Sequence, residues 1–173
     1  GRTVIAYSRS NTGFLISKGI KLLVVACNTA SSVSIPSLQA EFDIPVLGVI
    51  EPGAKKAVEV TNKNKIGVIG TPSTINSGAY TKAIENLNPD IEVISKACPL
   101  FVPLADEGWV EGEIIEKIAE QYLNPIKDSG IDVLVLGCTH YPLLKNTIQK
   151  IVGDEITLVD SAQETASQIK HIL

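Results

Sequence analysis

Short runs rich in β-branched residues alternate along this chain with stretches whose apolar residues recur every three to four positions. Lys21–Ala26, Val46–Ile50, Lys65–Ile69, Glu92–Ser95, Val133–Leu136 and Thr157–Val159 read as strands, and most of the segments between them read as helices. Such alternation predicts parallel βα units, so the fold class is α/β with parallel-type sheets flanked by helices. Right-handed crossovers then place the carboxyl ends of the strands on one edge of their sheet. The pattern leaves open whether there is one sheet or two. Gly1–Phe14 enters a helical pattern without a preceding strand, although Asn11 and Gly13 are poor helix residues.

Two of the strand ends are built alike. Leu23–Ala30 runs Leu-Val-Val-Ala-Cys-Asn-Thr-Ala, and Leu134–Pro142 runs Leu-Val-Leu-Gly-Cys-Thr-His-Tyr-Pro. Each is a buried strand closing on a cysteine, and each is followed at once by small polar residues and a helical pattern. Cys27 and Cys138 are therefore expected where a strand ends and the next helix begins, the ligand edge of an open α/β sheet. The segment Gly48–Gly53, where a strand runs into a Pro/Gly turn ahead of a helical stretch from Ala54 to Thr61, reads as a lobe boundary. A second crossing is expected near Asp160–Ser161.

Composition narrows the class. The chain has 173 residues, enough for one domain or two small lobes, and 45% of them are apolar, enough for a real core. Fifteen basic against nineteen acidic residues give a net charge of −4 with no basic block, which argues against nucleic acid and against a polybasic membrane surface. No apolar run is long enough to span a bilayer, and the N-terminal layout is not that of a signal peptide, so the expected location is cytoplasmic. Three cysteines without CxxC spacing disfavour both a disulfide framework and a dedicated metal site. A small-molecule partner is expected.

A free thiol ordinarily titrates near ~8.5, and a helix N-terminus with neighbouring donors lowers that value, so a strand-end cysteine can act as a base or a nucleophile. His140 stands two residues from Cys138 and can relay a proton. Asn28, Thr29 and Thr139 supply neutral donors suited to a carboxylate. A third polar strand end, Gly70–Thr74, adds hydroxyls at a helix start, with Pro72 in its first turn; an ordinary cap explains it equally well. Asp106 and Glu107 stand beside a loop as further carboxylates. Cys98, without a polar cluster around it, reads as structural, Tyr80, Trp109 and Tyr122 as packing or lobe-contact residues, and His171 as exposed.

Val25-Ala26-Cys27-Asn28-Thr29-Ala30-Ser31 and Leu136-Gly137-Cys138-Thr139-His140-Tyr141-Pro142-Leu143-Leu144 resemble the two signature segments of the glutamate racemase family. Gly48–Gly53, Gly67–Pro72 and Ala97–Leu104 resemble its intervening segments, so the resemblance covers nearly the whole chain. It implies two lobes with the active site in the cleft between them: residues 1–53 plus 161–173 forming a first lobe, residues 54–160 a second. It implies interconversion of L- and D-glutamate without pyridoxal phosphate or metal, supplying D-glutamate for peptidoglycan, with a homodimer as a compatible assembly. Carried over to this sequence, Cys27 serves the D-glutamate direction and Cys138 the L-glutamate direction, with His140 assisting Cys138. Asn28, Thr29, Thr71, Thr74, Thr139 and His140 become substrate-binding residues, and Asp106 occupies the place of the family's assisting Glu.

The resemblance has two departures. The family's opening Asp-Ser-Gly and Pro-Tyr-Gly segments, and its final segment, have no counterpart in these residues, so the stretch is expected to be short of the family at both ends. Asp106 is one methylene shorter than the family's Glu, so either the backbone shifts or Glu107 takes the role. Two competing readings follow: a related racemase for aspartate or another acid, and an inactive fragment that binds glutamate.

Overall fold

The structure, a computed structural model, describes residues 1–172, with side chains through Lys170. Leu173 and the side chain of His171, read above as exposed, lie outside the described residues. Among the described residues six parallel strands form two sheets, so the fold is mixed α/β with helices on the sheet faces. The smaller sheet pairs β1 (Leu23–Val25) with β2 (Val46–Gly48), Leu23 standing opposite Val46. The larger has the order β4-β3-β5-β6, from β3 (Lys65–Gly70), β4 (Glu92–Ala97), β5 (Val133–Gly137) and β6 (Thr157–Asp160). All six strands fall where the apolar runs predict them.

Side chains alternate between the two faces of the larger sheet with the two-residue period of a strand. On β5, Val133 and Val135 face one hydrophobic cluster together with Ile66 and Val68 of β3, Ala54 and Ala57 of α3 (Ile50–Val60) and Ile84 of α5 (Ala79–Leu87). Leu134 and Leu136 face the opposite cluster, with Ala119 and Leu123 of α7 (Glu113–Lys127) and Ile148 of α8 (Lys145–Val152). Both faces are covered, so β5 is apolar throughout. Burying each such Leu or Ile contributes about 1.5–3 kcal/mol. Gly67 is required on the second face: a Cβ there would stand 2.7 Å from Ile131 Cδ1 and 2.9 Å from Leu134 Cδ1.

The smaller sheet carries its own cluster, Leu23, Val46 and Leu38, the last from α2 (Asn28–Glu41). Ahead of it, α1 (Arg2–Ile16) runs unbroken through Asn11 and Gly13. Thr12 between them is buried and donates its hydroxyl to the Ser8 carbonyl at 2.7 Å, and Arg9 pairs with Glu41 of α2 at 2.6 Å. Helix α3 begins at Ile50, before the expected start at Ala54, and its first turn already packs in the larger core. Helix α9 (Ser161–Ile172) leaves β6 and packs against α3.

Tyr80 and Tyr122 pack as expected: Tyr80 is buried, and Tyr122 meets Phe101 edge-on at 5.4 Å. Trp109 does not, being 51% exposed. Its backbone is what the fold uses, since Trp109 N–H donates to the Leu104 carbonyl at 2.8 Å after the left-handed Gly108, and that turn sends the indole outward. Among the described residues no helix is long and apolar enough to cross a membrane.

Candidate active site

The first thiol stands where the pattern puts it. Cys27 is the N-cap of α2, with extended backbone (φ −74°, ψ 122°), and it is exposed. Its loop is pinned from below by Ser31, whose hydroxyl donates to the Val25 carbonyl at 2.6 Å and accepts from Val49 N–H at 3.3 Å. That pair of bonds ties the first turn of α2 to the ends of β1 and β2. Asn28 beside it is buried, and its Oδ1 accepts the Tyr80 hydroxyl at 2.7 Å.

The second thiol is placed differently from the expectation. No α-helix starts directly after Cys138; the chain bends through Thr139 and enters a 3₁₀ turn, Tyr141–Leu144, before α8. Tyr141 N–H donates to the Cys138 carbonyl at 3.2 Å, and Leu143 N–H to the His140 carbonyl at 3.1 Å. The cause of the tight turn is the Tyr141 ring, fully buried edge-on to Phe101, with its hydroxyl donating to the Cys98 carbonyl at 3.0 Å. Cys98 is thus structural: wholly buried, its thiol is pushed up to about 12 by desolvation, and its carbonyl anchors the turn.

Desolvation also reverses the expected shift at Cys138. The thiol is 7% exposed, and burial raises its pKa above the ordinary thiol value. The His140 backbone amide counters this, the negative charge of a nearby Cys27 thiolate adds to it, and the Thr139 hydroxyl and amide counter it again. The two thiols stand at the ends of strands from different sheets, Cys27 after β1 and Cys138 after β5.

A chain of polar contacts leads away from Cys138. Its Sγ lies 3.8 Å from His140 Nδ1, which is also 3.4 Å from Thr139 Oγ1. On the other side of the ring, His140 Nε2 is 3.0 Å from Asp106 Oδ1, at the end of α6 (Phe101–Asp106). A carboxylate only accepts, so Nε2 carries the proton donated to Asp106, and a neutral ring then turns the Nδ1 lone pair toward the thiol. Asp106 reaches the histidine despite its short side chain; among the described residues the Glu107 side chain makes no ion pair or hydrogen bond.

Three threonine hydroxyls meet between the sheets. Thr29 Oγ1 lies 2.9 Å from Thr71 Oγ1 and 3.1 Å from Thr74 Oγ1, and the latter two are 3.1 Å apart. Thr71 is at the same time the N-cap of α4 (Pro72–Ser77), accepting from Thr74 N–H at 3.2 Å. The strand end Gly70–Thr74 is therefore both a cap and a partner of the Cys27 loop. Gly70 makes this approach feasible, since a Cβ there would stand 3.2 Å from the Gly137 carbonyl and 3.3 Å from Thr74 Cβ.

All the sequence-predicted residues lie at strand ends or at the helix end that faces them. Thr29, Thr71 and Thr74 form one group, with Asn28 next to Thr29 in the chain; Cys138, Thr139, His140 and Asp106 form another; and Cys27 stands exposed at the N-cap directly before Asn28. What sequence reasoning missed is the Tyr80 hydroxyl: with Ile84 one turn on, Tyr80 looks like an apolar-face residue, and only its partner reveals a polar task. A cavity of about 800 Å³ between α2, β2, α3, α5 and α9, lined by Ser31, Ile35, Glu51, Lys55 and Lys82 among others, contains none of the candidate residues. Among the described residues no group of three or more His, Cys, Asp or Glu side chains could hold a metal ion.

Thiols thus stand at two strand ends of this parallel α/β fold, and a His–carboxylate pair backs one of them. The Asp/Glu/Hydantoin racemase family model matches residues 8–169, and the chain belongs to that family. Over 171 residues it is 54% identical to the glutamate racemase of Geobacter metallireducens, covering 99% of this chain and 63% of that protein. Its structure resembles that of a glutamate racemase isoform from Bacillus anthracis (TM-score 0.96, 42% identity, 99% of this chain and 65% of that one). It also resembles the glutamate racemase of Francisella tularensis solved with D-glutamate (TM-score 0.92, 38% identity, 99% and 64%). The chain thus spans slightly under two thirds of the length of these relatives.

Proposed function

We propose that this chain carries the cleft of a glutamate racemase, an isomerase that interconverts L- and D-glutamate and supplies D-glutamate for peptidoglycan. The observation that carries the reading is the contact chain Cys138–His140–Asp106, with a second, exposed thiol, Cys27, at the other strand end. Residues 1–53 with 161–173, and residues 54–160, are taken as the two lobes; the separate sheets and the separate Leu23–Leu38–Val46 cluster support that division as far as β2, while α9 packs on α3.

In the L-to-D direction the Cys138 thiolate takes the α-proton and becomes a thiol, leaving the electron pair delocalised into the substrate carboxylate. Cys27 then gives its proton to the opposite face and becomes the thiolate. The reverse direction exchanges the two roles. His140, fixed by Asp106, accepts the Cys138 proton through Nδ1 when the thiolate forms. Asn28, Thr29, Thr71, Thr74 and Thr139 are neutral donors that stabilise charge building on the carboxylate without quenching the thiolate. The α-proton is a very weak acid, so the buried, high-energy thiolate of Cys138 is itself an advantage for a base.

The test is incubation of the full-length protein with either enantiomer in deuterated water. Racemisation should place deuterium in the product while recovered substrate stays protiated. Cys27→Ser and Cys138→Ser should each lower the rate by about 10²–10⁴-fold. Racemisation undiminished in both variants would rule out the two-thiol reading.

A further inference from the structure

Tyr80 joins both sides of the cleft at a single atom. Its hydroxyl donates to Asn28 Oδ1, across 52 residues of chain, at 2.7 Å in a buried setting. Around the same oxygen lie the first turn of α3 and the start of α9. At Gly53 an added Cβ would stand 3.4 Å from the Tyr80 oxygen and 3.1 Å from Ser161 Cβ. Ser161, the first residue of α9, is one of the few buried polar residues and stands against Gly53, as the phenol does. On its other side the ring rests on Gly137, the residue before Cys138, where an added Cβ would stand 3.1 Å from Tyr80 Cε2. The left-handed Gly78 turns α4 into α5 and so aims Tyr80 at this junction.

The direction of the hydrogen bond matters. A donor hydroxyl requires the oxygen of the Asn28 carboxamide to face Tyr80, which turns the Nδ2 amino group the other way. Among the described residues Asn28 Nδ2 has no hydrogen-bond partner, yet no buried side-chain nitrogen or oxygen is left unsatisfied. Nδ2 therefore keeps access to solvent, on the side of Asn28 away from the Tyr80 hydroxyl. Without the hydroxyl the carboxamide can rotate and present an acceptor where an anionic substrate needs a donor.

Resting on the glutamate racemase reading, we propose that Tyr80 is a positioning residue whose hydroxyl orients the Asn28 carboxamide so that its two N–H donors face the substrate carboxylate. It touches no reacting atom. Because the first turn of α3 and the end of β5 both pack on its ring and hydroxyl, it also holds that orientation constant relative to the Cys138 strand end.

The experiment is a double-mutant cycle in the full-length protein, with kcat and KM for both enantiomers and the thermal midpoint measured for Tyr80→Phe, Asn28→Ala and the pair. Tyr80→Phe should lower kcat/KM about tenfold, the range of one hydrogen bond to a charged group. The double variant should be no worse than Asn28→Ala alone, since both remove one interaction. Phe keeps the ring on Gly137, so a purely packing role predicts unchanged kcat/KM; that result, or losses that simply multiply in the double variant, overturns the proposal while leaving racemisation intact. Wild-type protein that neither binds nor racemises glutamate removes the underlying reading and the proposal with it.

Discussion

Replacing Asp106 with Asn keeps the size of the side chain and removes its charge. In the structure Asp106 Oδ1 is 3.0 Å from His140 Nε2, with side-chain exposures of 59% and 36%, so a water-like dielectric is the appropriate limit. Two unit charges at that distance attract by about 1.4 kcal/mol in water, which applies when His140 holds the Cys138 proton. This corresponds to about a tenfold loss of kcat/KM. Enantiomers have equal free energies, so the equilibrium constant is unity and kcat/KM must fall equally in both directions. The specific signature lies elsewhere. If the contact serves Cys138 alone, removal of the α-proton from L-glutamate becomes more rate-limiting, and the primary isotope effect with α-deuterated L-glutamate rises. With α-deuterated D-glutamate, where Cys27 is the base, it falls. Circular dichroism with deuterated and protiated substrates measures all four rates, and Glu107→Gln should leave them unchanged. Asp106→Asn with wild-type rates and isotope effects, or a larger effect from Glu107→Gln, would refute the relay.

Thr29→Val removes the hydroxyl that bridges Thr71 and Thr74 while keeping the shape of the side chain, so KM for glutamate should rise about tenfold with a loss of about 1 kcal/mol in stability; an unchanged KM in steady-state assays counts against a substrate-binding role for the cluster. Asp132→Asn probes the fold instead. Burial opposes the Asp132 charge, but hydrogen bonds from Thr61 Oγ1 (2.7 Å), Asn62 N–H (2.6 Å) and Lys63 N–H (2.9 Å) outweigh it and hold the carboxyl below its ordinary value. A depressed folded-state pKa contributes stability that is complete above the ordinary aspartate value of ~3.9 and is lost as pH falls through the folded value. The variant should therefore be less stable by about 1–3 kcal/mol in urea unfolding at neutral pH, with the gap closing below about pH 4; a gap that persists in acid contradicts the assignment.

The sequence alone determined a great deal, because the strongest signals were local. Strands such as Val133–Gly137 are buried on both faces and must be apolar throughout, so their places could be read directly. A cysteine at the end of such a strand is constrained by the topology to the ligand edge, and the segments around Cys27 and Cys138 were specific enough to indicate the family. Thr71 was legible as a cap because Pro72 and Thr74 stand at the right spacing.

Tertiary structure decided what depends on partners far apart in sequence. Whether Asp106 or Glu107 reaches His140 depends on how α6 ends against the turn after β5, and a helix-end direction leaves no trace in composition. The raised pKa of Cys138, opposite to the expectation from a helix N-terminus, follows from burial, which outweighs the lowering by the backbone amides of the turn. The task of the Tyr80 hydroxyl required knowing that residues 28, 53, 137 and 161 converge on one ring. Hydrophobic periodicity records which face of an element is buried; which polar atom it meets there is set only when the chain closes on itself.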